Sequence, residues 1–274
     1  MEQGLKPLKH FGQLASKVSG ENLTHRLVAD SLPAELKPLA HTFNAMLDRL
    51  EAAFLRLNQF SADLAHEFRT PINNLMMQSQ VALSQPRDTT DYQDVLASNV
   101  EEFERLAHMV SDMLLLAKTE QQQPIEKQLI DLRPLCQQLM EYFELIAAER
   151  DIVFELQGNA QLHANSELFR RALANILANA VRHADSQSTI QITLSQTAKQ
   201  IEIHICNQGK TIPAEQLGQL FERFYRAESA RTHQGNTGLG LAITRAIVQA
   251  HQGQISAQSQ ARKTCFSICF KTWF

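Results

Sequence analysis

The sequence predicts a multidomain protein in which an α-helical coiled coil, forming a four-helix dimerisation bundle, precedes a compact α/β domain. Three observations predict this fold class: an apolar seam with heptad spacing, a second apolar helical series after a break, and mixed helical and strand periods in the second half. The chain has 274 residues, which exceeds the usual size of one core and suits two or three modules.

Two short amphipathic segments open the chain, at residues 7–18 and 34–50, and a polar stretch around Gly20 joins them. This pattern predicts two short helices with a connector. Such a pair would serve as a relay module at the entrance to the bundle.

A heptad seam begins at Leu39 and steps by four and three residues without interruption. Its members are Leu39, Phe43, Met46, Leu50, Ala53, Leu57, Phe60 and Leu64. This is coiled-coil spacing. An amphipathic helix in a monomeric core is the alternative, but the length of the seam and the charged residues off it favour a parallel dimer.

Residues 84–88, which include Pro86, interrupt the helical pattern, and a second apolar series runs from Leu96 to Ala117. The two segments together predict a helical hairpin. Two hairpins, one from each subunit, would bury both apolar faces in a four-helix bundle. Residues 121–124 then end the helical pattern and predict a linker.

The second half of the chain mixes two periods, which is typical of an α/β domain. Helical spacing occupies residues 135–150 and 168–183. Strand-like alternation occupies residues 189–194, 200–206, 254–257 and 264–270.

Charge and cysteine content argue against a nucleic-acid-binding protein and against a small protein built on a disulfide framework. The formal net charge of -3, with both signs interspersed, provides no basic field for nucleic acid. The four cysteines lack CxxC spacing, so we expect reduced thiols, and Cys265 and Cys269 are interpreted as small core residues rather than metal ligands. No apolar run approaches the roughly 18 to 20 residues of a membrane span, although a receptor without its spans would look the same.

His66 is the candidate nucleophile of the first bundle helix. Helical geometry places it about 200° from Leu64, opposite the seam and towards solvent. Glu67 could accept a proton from one ring nitrogen, and Thr70, one turn away, could position a water. Pro71 cannot donate to the carbonyl of Glu67, which predicts a bend. Taken alone, an ordinary surface histidine is the favoured interpretation.

Asn175 and Asn179 lie one turn apart on a helix that is otherwise flanked by Leu, Ile and Ala. Their side-chain carbonyl oxygens are hard ligands, which suit Mg²⁺ carrying the oxygens of a triphosphate. Hydrogen bonding between this helix and a strand is the equally supported alternative.

A glycine-rich turn at residues 235–241 opens directly into a helix predicted over 242–249. Backbone N–H groups at a helix N-terminus attract phosphate. The turn lacks the ending of a Walker A loop, and no strand immediately precedes it as a Rossmann turn requires. A loop without ligand is the alternative.

Residues 206–213 end a predicted strand where a nucleotide base could lie against backbone. Phe221 and Phe224, three residues apart, would anchor a lid over the triphosphate, and Arg226 would stabilise charge at the γ-phosphate. Ordinary packing is the alternative for the two phenylalanines.

In this order the segments resemble the histidine-kinase family along nearly the whole chain. Residues 66–71 are similar to its H-box and residues 175–179 to its N-box. Residues 207–213 and 238–241 are similar to its two glycine boxes, and residues 221–226 to the phenylalanine box between them.

The resemblance implies an architecture of four parts. Residues 1–54 would be a HAMP relay, with Pro7 and Glu35 at positions that this module favours, and residues 55–120 a dimerisation and phosphotransfer hairpin. Residues 121–124 would be the linker, and 125–274 an ATP-binding α/β sandwich of the GHKL (Bergerat) type.

The resemblance also implies a function, that of a sensor kinase of a two-component system. Mg²⁺ and ATP would phosphorylate His66, and the phosphoryl group would pass to an aspartate of a response-regulator receiver domain, with phosphatase activity in addition. The protein would be a homodimer. HAMP modules normally follow a transmembrane helix, so this would be the cytoplasmic portion of an inner-membrane protein.

The family assigns two sets of site residues. Catalytic roles fall on His66, Glu67, Thr70 and Arg226. Nucleotide binding falls on Asn175, Asn179, Arg182, His183, Asn207, Gly209, Phe221, Phe224, Gly238, Leu239 and Gly240, with Asn175 and Asn179 also holding Mg²⁺.

The chain departs from the family pattern at Asn207, where most members carry Asp, and at Thr211, where they carry Gly. An amide oxygen still accepts a bond from the adenine amino group, but a loss of about 1 kcal/mol would weaken ATP about fivefold. Asn207 and the sequence of residues 60–72 most resemble the copper/silver-sensing branch of the family.

Two rival functions share parts of this pattern. A catalytically weak pseudokinase or dimeric scaffold would carry the same motifs with an altered glycine box. A GHKL ATPase of the chaperone or gyrase type would carry a general-base Glu where Asn175 stands, so the sequence argues against it.

Overall fold

The structure is a computed structural model that describes residues 24–28, 34–120, 125–225 and 237–271. The chain divides into two compact units, residues 1–73 and 74–274. The predicted helix at 7–18, the linker at 121–124 and Arg226 lie outside the described residues.

The first unit is built on a long helix. A 3-10 turn at Ala34–Leu36, which contains Glu35, leads into helix α1, Lys37–Leu83. The helix has no break near residue 54, where the sequence predicts a domain boundary, and it continues as α-helix through Pro71.

The connector before this helix is held to it by polar contacts. Asn44 accepts a bond from the backbone N–H of Leu27 at 2.9 Å and donates to the carbonyl of Leu27 at 2.9 Å. Arg26 donates to Asp48 at 2.8 Å and pairs with Glu51. The amide of Asn44 therefore satisfies both backbone groups of a buried connector residue.

The predicted heptad seam lies along α1 and is largely exposed in the single chain. Leu39, Met46, Leu50 and Leu57 are all exposed, Leu57 by 58%. Exposed apolar side chains in a regular row are typical of a surface that a partner covers.

The second unit begins with the end of α1 and helix α2, Thr89–Glu120. The predicted break falls between them, and Asp88 accepts a bond from the N–H of Asp91 at 2.8 Å, which caps α2. Ser79 and Asn99 lie 3.4 Å apart across the two helices. The predicted hairpin connection is therefore present.

An α/β domain follows the helices. Its elements are β1 (Gln128–Asp131), α3 (Leu132–Ala148), β2 (Val153–Gly158), β3 (Gln161–Ala164), α4 (Ser166–His183), β4 (Thr189–Gln196), β5 (Gln200–Gln208), α5 (Ala214–Leu217), α6 (Gly240–Ala250), β6 (Gly253–Gln260) and β7 (Lys263–Lys271). The order of the five-stranded sheet is β2-β4-β5-β7-β6, with β2 and β4 parallel and the other pairs antiparallel. Strands β1 and β3 form a separate antiparallel pair.

Alternation decides which face of the sheet is buried. Along β5, Ile203 and Ile205 are buried, as are Phe266 and Ile268 on β7, and they pack with the apolar sides of α3 and α4 in one core. The residues between them are polar or small and partly exposed. Helices therefore cover one face of the sheet, and the predicted fold class, a helical region followed by an α/β domain, is confirmed.

The cysteines depart from the sequence expectation. Cys265 and Cys269 are not core residues, because both lie partly exposed on the uncovered face of the sheet. Cys265 is bonded to Cys206 in a disulfide, where reduced thiols were predicted. Cys136 and Cys269 are free, and Cys136 is buried in the core.

Candidate nucleotide and phosphotransfer sites

The candidate phosphoacceptor lies on α1 in the first unit. His66 and Thr70 are exposed, and Glu67 is half-buried. The predicted exposure of His66 is confirmed, and its imidazole is accessible to a reactant from solvent.

Helix α4 carries four of the predicted nucleotide residues along one side. Asn165 caps the helix by accepting a bond from the N–H of Leu168 at 3.0 Å. Ile176 and Leu177 are fully buried, whereas Asn175 and Asn179 are half-buried. The two amides therefore lie at the margin of the core, where they can reach both protein and ligand.

Asn175 connects α4 to the start of α6. Its side-chain nitrogen donates to the carbonyl oxygen of Gly240 at 2.9 Å, and the hydroxyl of Thr244 lies 2.9 Å from the same oxygen. The partner of Asn175 is thus another helix, not the strand that the alternative interpretation predicts. Because the nitrogen is engaged, the side-chain carbonyl oxygen is the atom left to accept or to ligate.

The glycine-rich turn is fixed by a close backbone approach. Gly238 has a φ of +68°, and its carbonyl oxygen accepts a bond from the N–H of Phe224 at 3.0 Å. A Cβ atom at Gly238 would lie 2.7 Å from the carbonyl carbon of Phe224. Only glycine suits this position, because its backbone is left-handed and no space exists for a side chain.

Helix α6 begins at Gly240, two residues before its predicted start. Leu239 is fully buried at its N-cap, and no side chain caps the first turn. The first N–H groups of a helix have no partner within the helix, so this end can bind an anion.

The end of β5 approaches the end of α4. Asn207 is only 3% exposed, and its side-chain nitrogen donates to the carbonyl of Gln208 at 3.3 Å. A Cβ atom at Gly209 would lie 2.1 Å from the carbonyl oxygen of His183, and Gly209 forms a β-bridge with Ala184. This close approach requires glycine at position 209 and brings Asn207 beside the last turn of α4.

These contacts place most of the residues that are predicted to bind nucleotide along a single helix, α4. The segment that follows the glycine-rich turn contacts Asn175 through Gly240. The segment around Asn207 approaches α4 at His183, eight residues after Asn175. At a rise of about 1.5 Å per residue, the two ends are about 12 Å apart along α4. Arg182 and His183 are exposed at that second end.

The two phenylalanines differ in their environment. Phe221 packs edge-on against Phe266 of β7, with ring centroids 6.3 Å apart, so the packing alternative holds for it. Phe224 takes a positive φ and contributes its backbone to the glycine-rich turn. Phe221 is therefore held against the sheet by its ring, whereas Phe224 is held at the glycine-rich turn by its backbone.

Sequence reasoning missed two polar contacts that position this domain. His251, buried at the end of α6, accepts a bond from the N–H of Asn165 at 3.0 Å and donates from Nδ1 to the carbonyl of Ile247 at 2.8 Å. Burial lowers the pKa of His251. Asp112 of α2 pairs with Arg171 of α4, and burial raises the pKa of Asp112. The one sequence signal was His251, a histidine at the end of a predicted helix, where such a side chain can bond the last carbonyl groups.

Within the described residues, no helix is both long and apolar enough to cross a membrane. The described ranges also hold no group of three or more His, Cys, Asp or Glu side chains arranged to bind a metal ion.

Comparison with known families covers most of the chain. Residues 164–273 match the family described as histidine kinase-, DNA gyrase B-, and HSP90-like ATPase, and residues 56–122 match the His Kinase A (phospho-acceptor) domain. Residues 3–52 match the HAMP domain. The chain belongs to the sensor histidine kinase family. The resemblance inferred from the motifs is confirmed, and a phospho-acceptor domain sets this kinase apart from ATPases of the gyrase or chaperone type.

Relatives of this histidine kinase match it over nearly its whole length. The probable sensor protein PcoS of Escherichia coli is 40% identical over 268 residues, which are 97% of this chain and 57% of that protein. The sensor histidine kinase CusS of Escherichia coli strain K12 is 38% identical over 271 residues, 98% of this chain and 56% of that protein. The chain therefore spans little more than half the length of these curated relatives.

A solved structure has the same fold. The histidine kinase AdeS of Acinetobacter baumannii superposes with a TM-score of 0.62 at 25% identity, covering 75% of this chain and 97% of that one.

Proposed function

We propose that the whole protein is a membrane-bound sensor kinase that phosphorylates its own His66 from Mg²⁺-ATP and passes the phosphoryl group to an aspartate of a response regulator. The observation that carries the proposal is the pairing, in one chain, of an exposed histidine in a phospho-acceptor domain with a nucleotide-type site along α4.

The nucleotide would lie along α4 with its base at Asn207 and its phosphates at the start of α6. The amide oxygen of Asn207 would accept a bond from the adenine amino group, beside Gly209 and the exposed His183. The open first turn of α6, after Gly238 and Leu239, would donate N–H groups to phosphate oxygens.

The amide oxygens of Asn175 and Asn179 fit Mg²⁺, because they are neutral hard donors and phosphates supply the remaining charge. The bond from Asn175 to Gly240 leaves its oxygen free to ligate. Bound Mg²⁺ would neutralise charge on the triphosphate. Arg182 would add a positive charge towards the nucleotide from the last turn of α4, and Arg226 would stabilise the charge that develops in transfer.

Transfer would begin when a ring nitrogen of His66 attacks the γ-phosphorus in line with the leaving oxygen. Glu67, adjacent in sequence, would take the proton from the other ring nitrogen and raise the nucleophilicity of the imidazole. Thr70, one helical turn away, would position a water for the reverse hydrolysis, which is the proposed phosphatase activity.

Homodimerisation is supported by two exposed apolar faces. The α1 seam is one of them. On α2, Leu96, Val100, Phe103 and Leu114 are exposed, whereas Met109 and Met113 are buried. One side of α2 is therefore covered within its own chain, and the other side has the apolar character that a four-helix bundle would bury.

The family resemblance implies a heavy-metal ion as the stimulus. The proposal rests on the sequence of residues 60–72 and on Asn207, which resemble the copper/silver-sensing branch. The matches to PcoS and CusS support it. The HAMP match supports a transmembrane segment and an inner-membrane location for the whole protein.

The deciding experiment is labelling with γ-radiolabelled ATP and Mg²⁺. The wild-type protein should gain an acid-labile, alkali-stable phosphoryl group. His66→Gln should bind a non-hydrolysable ATP analogue normally but take no label. His41→Gln, which replaces another exposed histidine of α1, should keep the label and is the matched control.

A pseudokinase is the second candidate, favoured by Asn207 in place of the usual Asp. Failure of the wild type to bind the ATP analogue at millimolar concentration would support it. Mixing His66→Gln with Asn179→Ala chains would restore label only if one subunit phosphorylates the other, so the same assay reports the geometry of transfer.

A further inference from the structure

Three of the four cysteines lie on the face of the sheet that none of the described helices covers. On β5 this face carries His204 and Cys206, and on β7 it carries Cys265, Ser267 and Cys269. All of these residues are partly exposed. This partial exposure places the cysteines at a solvent-facing surface of the sheet.

Cys206 and Cys265 are direct neighbours across the two strands. They are partners in the antiparallel register of β5 and β7, although 59 residues separate them in sequence, and a disulfide joins them. Cys269 lies opposite Glu202 and is a free thiol.

The opposite face of the same strand step carries the proposed adenine acceptor. Successive residues of a strand point to opposite faces, so Asn207 is directed inward where Cys206 is directed outward. Asn207 is buried, and so is its register partner Thr264, which immediately precedes Cys265. Cys206 of the disulfide and Asn207 are thus consecutive residues of β5.

Hydrogen bonds extend this connection to the loop after β5. The hydroxyls of Thr264 and Ser259 lie 2.8 Å apart, and Ser259 accepts a bond from the N–H of Ile212 at 2.9 Å. The N–H of Gly209 donates to the carbonyl of Arg262 at 2.7 Å. The spacing of β5 and β7 at the disulfide therefore sets the position of residues 209–212.

We propose that Cys206 and Cys265 form a thiol–disulfide switch that sets the affinity of the adjacent nucleotide site. The inference rests on the proposed function, since it concerns regulation of the same site. The oxidised pair binds nucleotide more tightly, because the cross-link restricts motion of the strand that presents Asn207, and a pre-organised site loses less freedom on binding.

The switch exchanges with a small-molecule disulfide of the glutathione type. The thiolate of one cysteine attacks this disulfide, which forms a mixed disulfide and releases one small thiol. The second cysteine then attacks the mixed disulfide, which closes the Cys206–Cys265 bond and releases a second small thiol. Two electrons pass from the protein to the small disulfide, and the two protons of the protein thiols end on the released thiols.

The test compares two redox states of the 274-residue protein, prepared with oxidised or reduced glutathione. Alkylation and peptide mass spectrometry count free thiols and identify the bonded pair, and titration with a non-hydrolysable Mg²⁺-ATP analogue gives the dissociation constant. The oxidised protein should lose two alkylatable thiols, at Cys206 and Cys265, and bind at least threefold more tightly.

Three variants locate the effect. Cys206→Ser and Cys265→Ser should abolish both the bond and the change in affinity. Cys269→Ser, on the same face of β7, should keep both and is the matched control. Thermal unfolding of each variant reports its folding, and the comparison of wild-type redox states does not depend on any variant.

Several results would overturn the switch: no bond between the two cysteines at any glutathione ratio, equal or weaker binding by the oxidised form, or loss of the effect in Cys269→Ser. Absence of nucleotide binding in both redox states would instead overturn the proposed function, and the switch with it.

Discussion

Replacement of Gly238 by alanine tests whether the glycine-rich turn is held by its approach to Phe224. At a φ of +68°, a residue with a Cβ costs about 1–2 kcal/mol more than glycine. The new atom would also lie 2.7 to 2.8 Å from two backbone atoms of Phe224, an overlap that costs about 1–3 kcal/mol in a packed region. The native turn should therefore lose about 2–5 kcal/mol.

Gly240 provides the matched control two residues away. A Cβ atom there would meet the side chain of Asn175 at 3.5 Å, an ordinary contact, and the residue lies in helix α6. Alanine is favoured over glycine within a helix by up to about 1 kcal/mol. Without nucleotide, Gly240→Ala should therefore be as stable as the wild type or slightly more stable.

Amide hydrogen exchange of the nucleotide-free proteins measures the effect where it arises. The N–H of Phe224 donates to the carbonyl of Gly238, so its protection reports the intact turn. A loss of 2 kcal/mol or more would lower that protection by roughly 30-fold or more in Gly238→Ala. Wild-type protection of Phe224 in that variant, or an equal loss in Gly240→Ala, would refute the reasoning.

Two further predictions concern the contacts that position the domain. Because burial lowers the folded-state pKa of His251 below its unfolded value, its contribution is present above a pH of about 6.5 and is lost as the pH falls below it. The free energy of unfolding in urea should fall between pH 7.5 and 5, because protonation of Nε2 removes its bond from the N–H of Asn165, and His251→Gln should reduce this slope. Arg171→Gln removes the partner of the partly buried Asp112 and should lower the unfolding free energy by about 1–3 kcal/mol. Adding Asp112→Asn should recover part of that loss, and a purely additive effect of the two changes would contradict coupling.

Periodicity predicted the long elements of this chain and failed on short ones. The seam of α1, helix α4 and the alternating strands β4, β5 and β7 each repeat their pattern over several residues, so each pattern is unambiguous. Strand β1 has four residues, of which only Ile130 is buried. Strand β2 is an edge strand that exposes Val153. Neither of these has enough repeats to distinguish a strand from a loop.

The motifs named candidate residues for one nucleotide site, but not the contacts between the segments that carry them. Asn175 and Gly240 are 65 residues apart and meet because α4 packs beside the start of α6. Cys206 and Cys265 meet only through the register of β5 and β7. Register depends on which strands pair and in what order, and a single sequence does not contain that information.

Asn207, the residue that most separates this chain from its family pattern, fits its surroundings as an amide. Its nitrogen donates to the carbonyl of Gln208, and only an amide can make this bond while still offering an oxygen to a ligand. A carboxylate at the same position would lose the donation and place a charge at a site that is 3% exposed. Arg262, whose carbonyl accepts the bond from the N–H of Gly209, directs its side chain to Asp185 at 2.8 Å. The exchange thus replaces a stronger acceptor by one that needs no counter-charge, which favours a weakened nucleotide site over an abolished one.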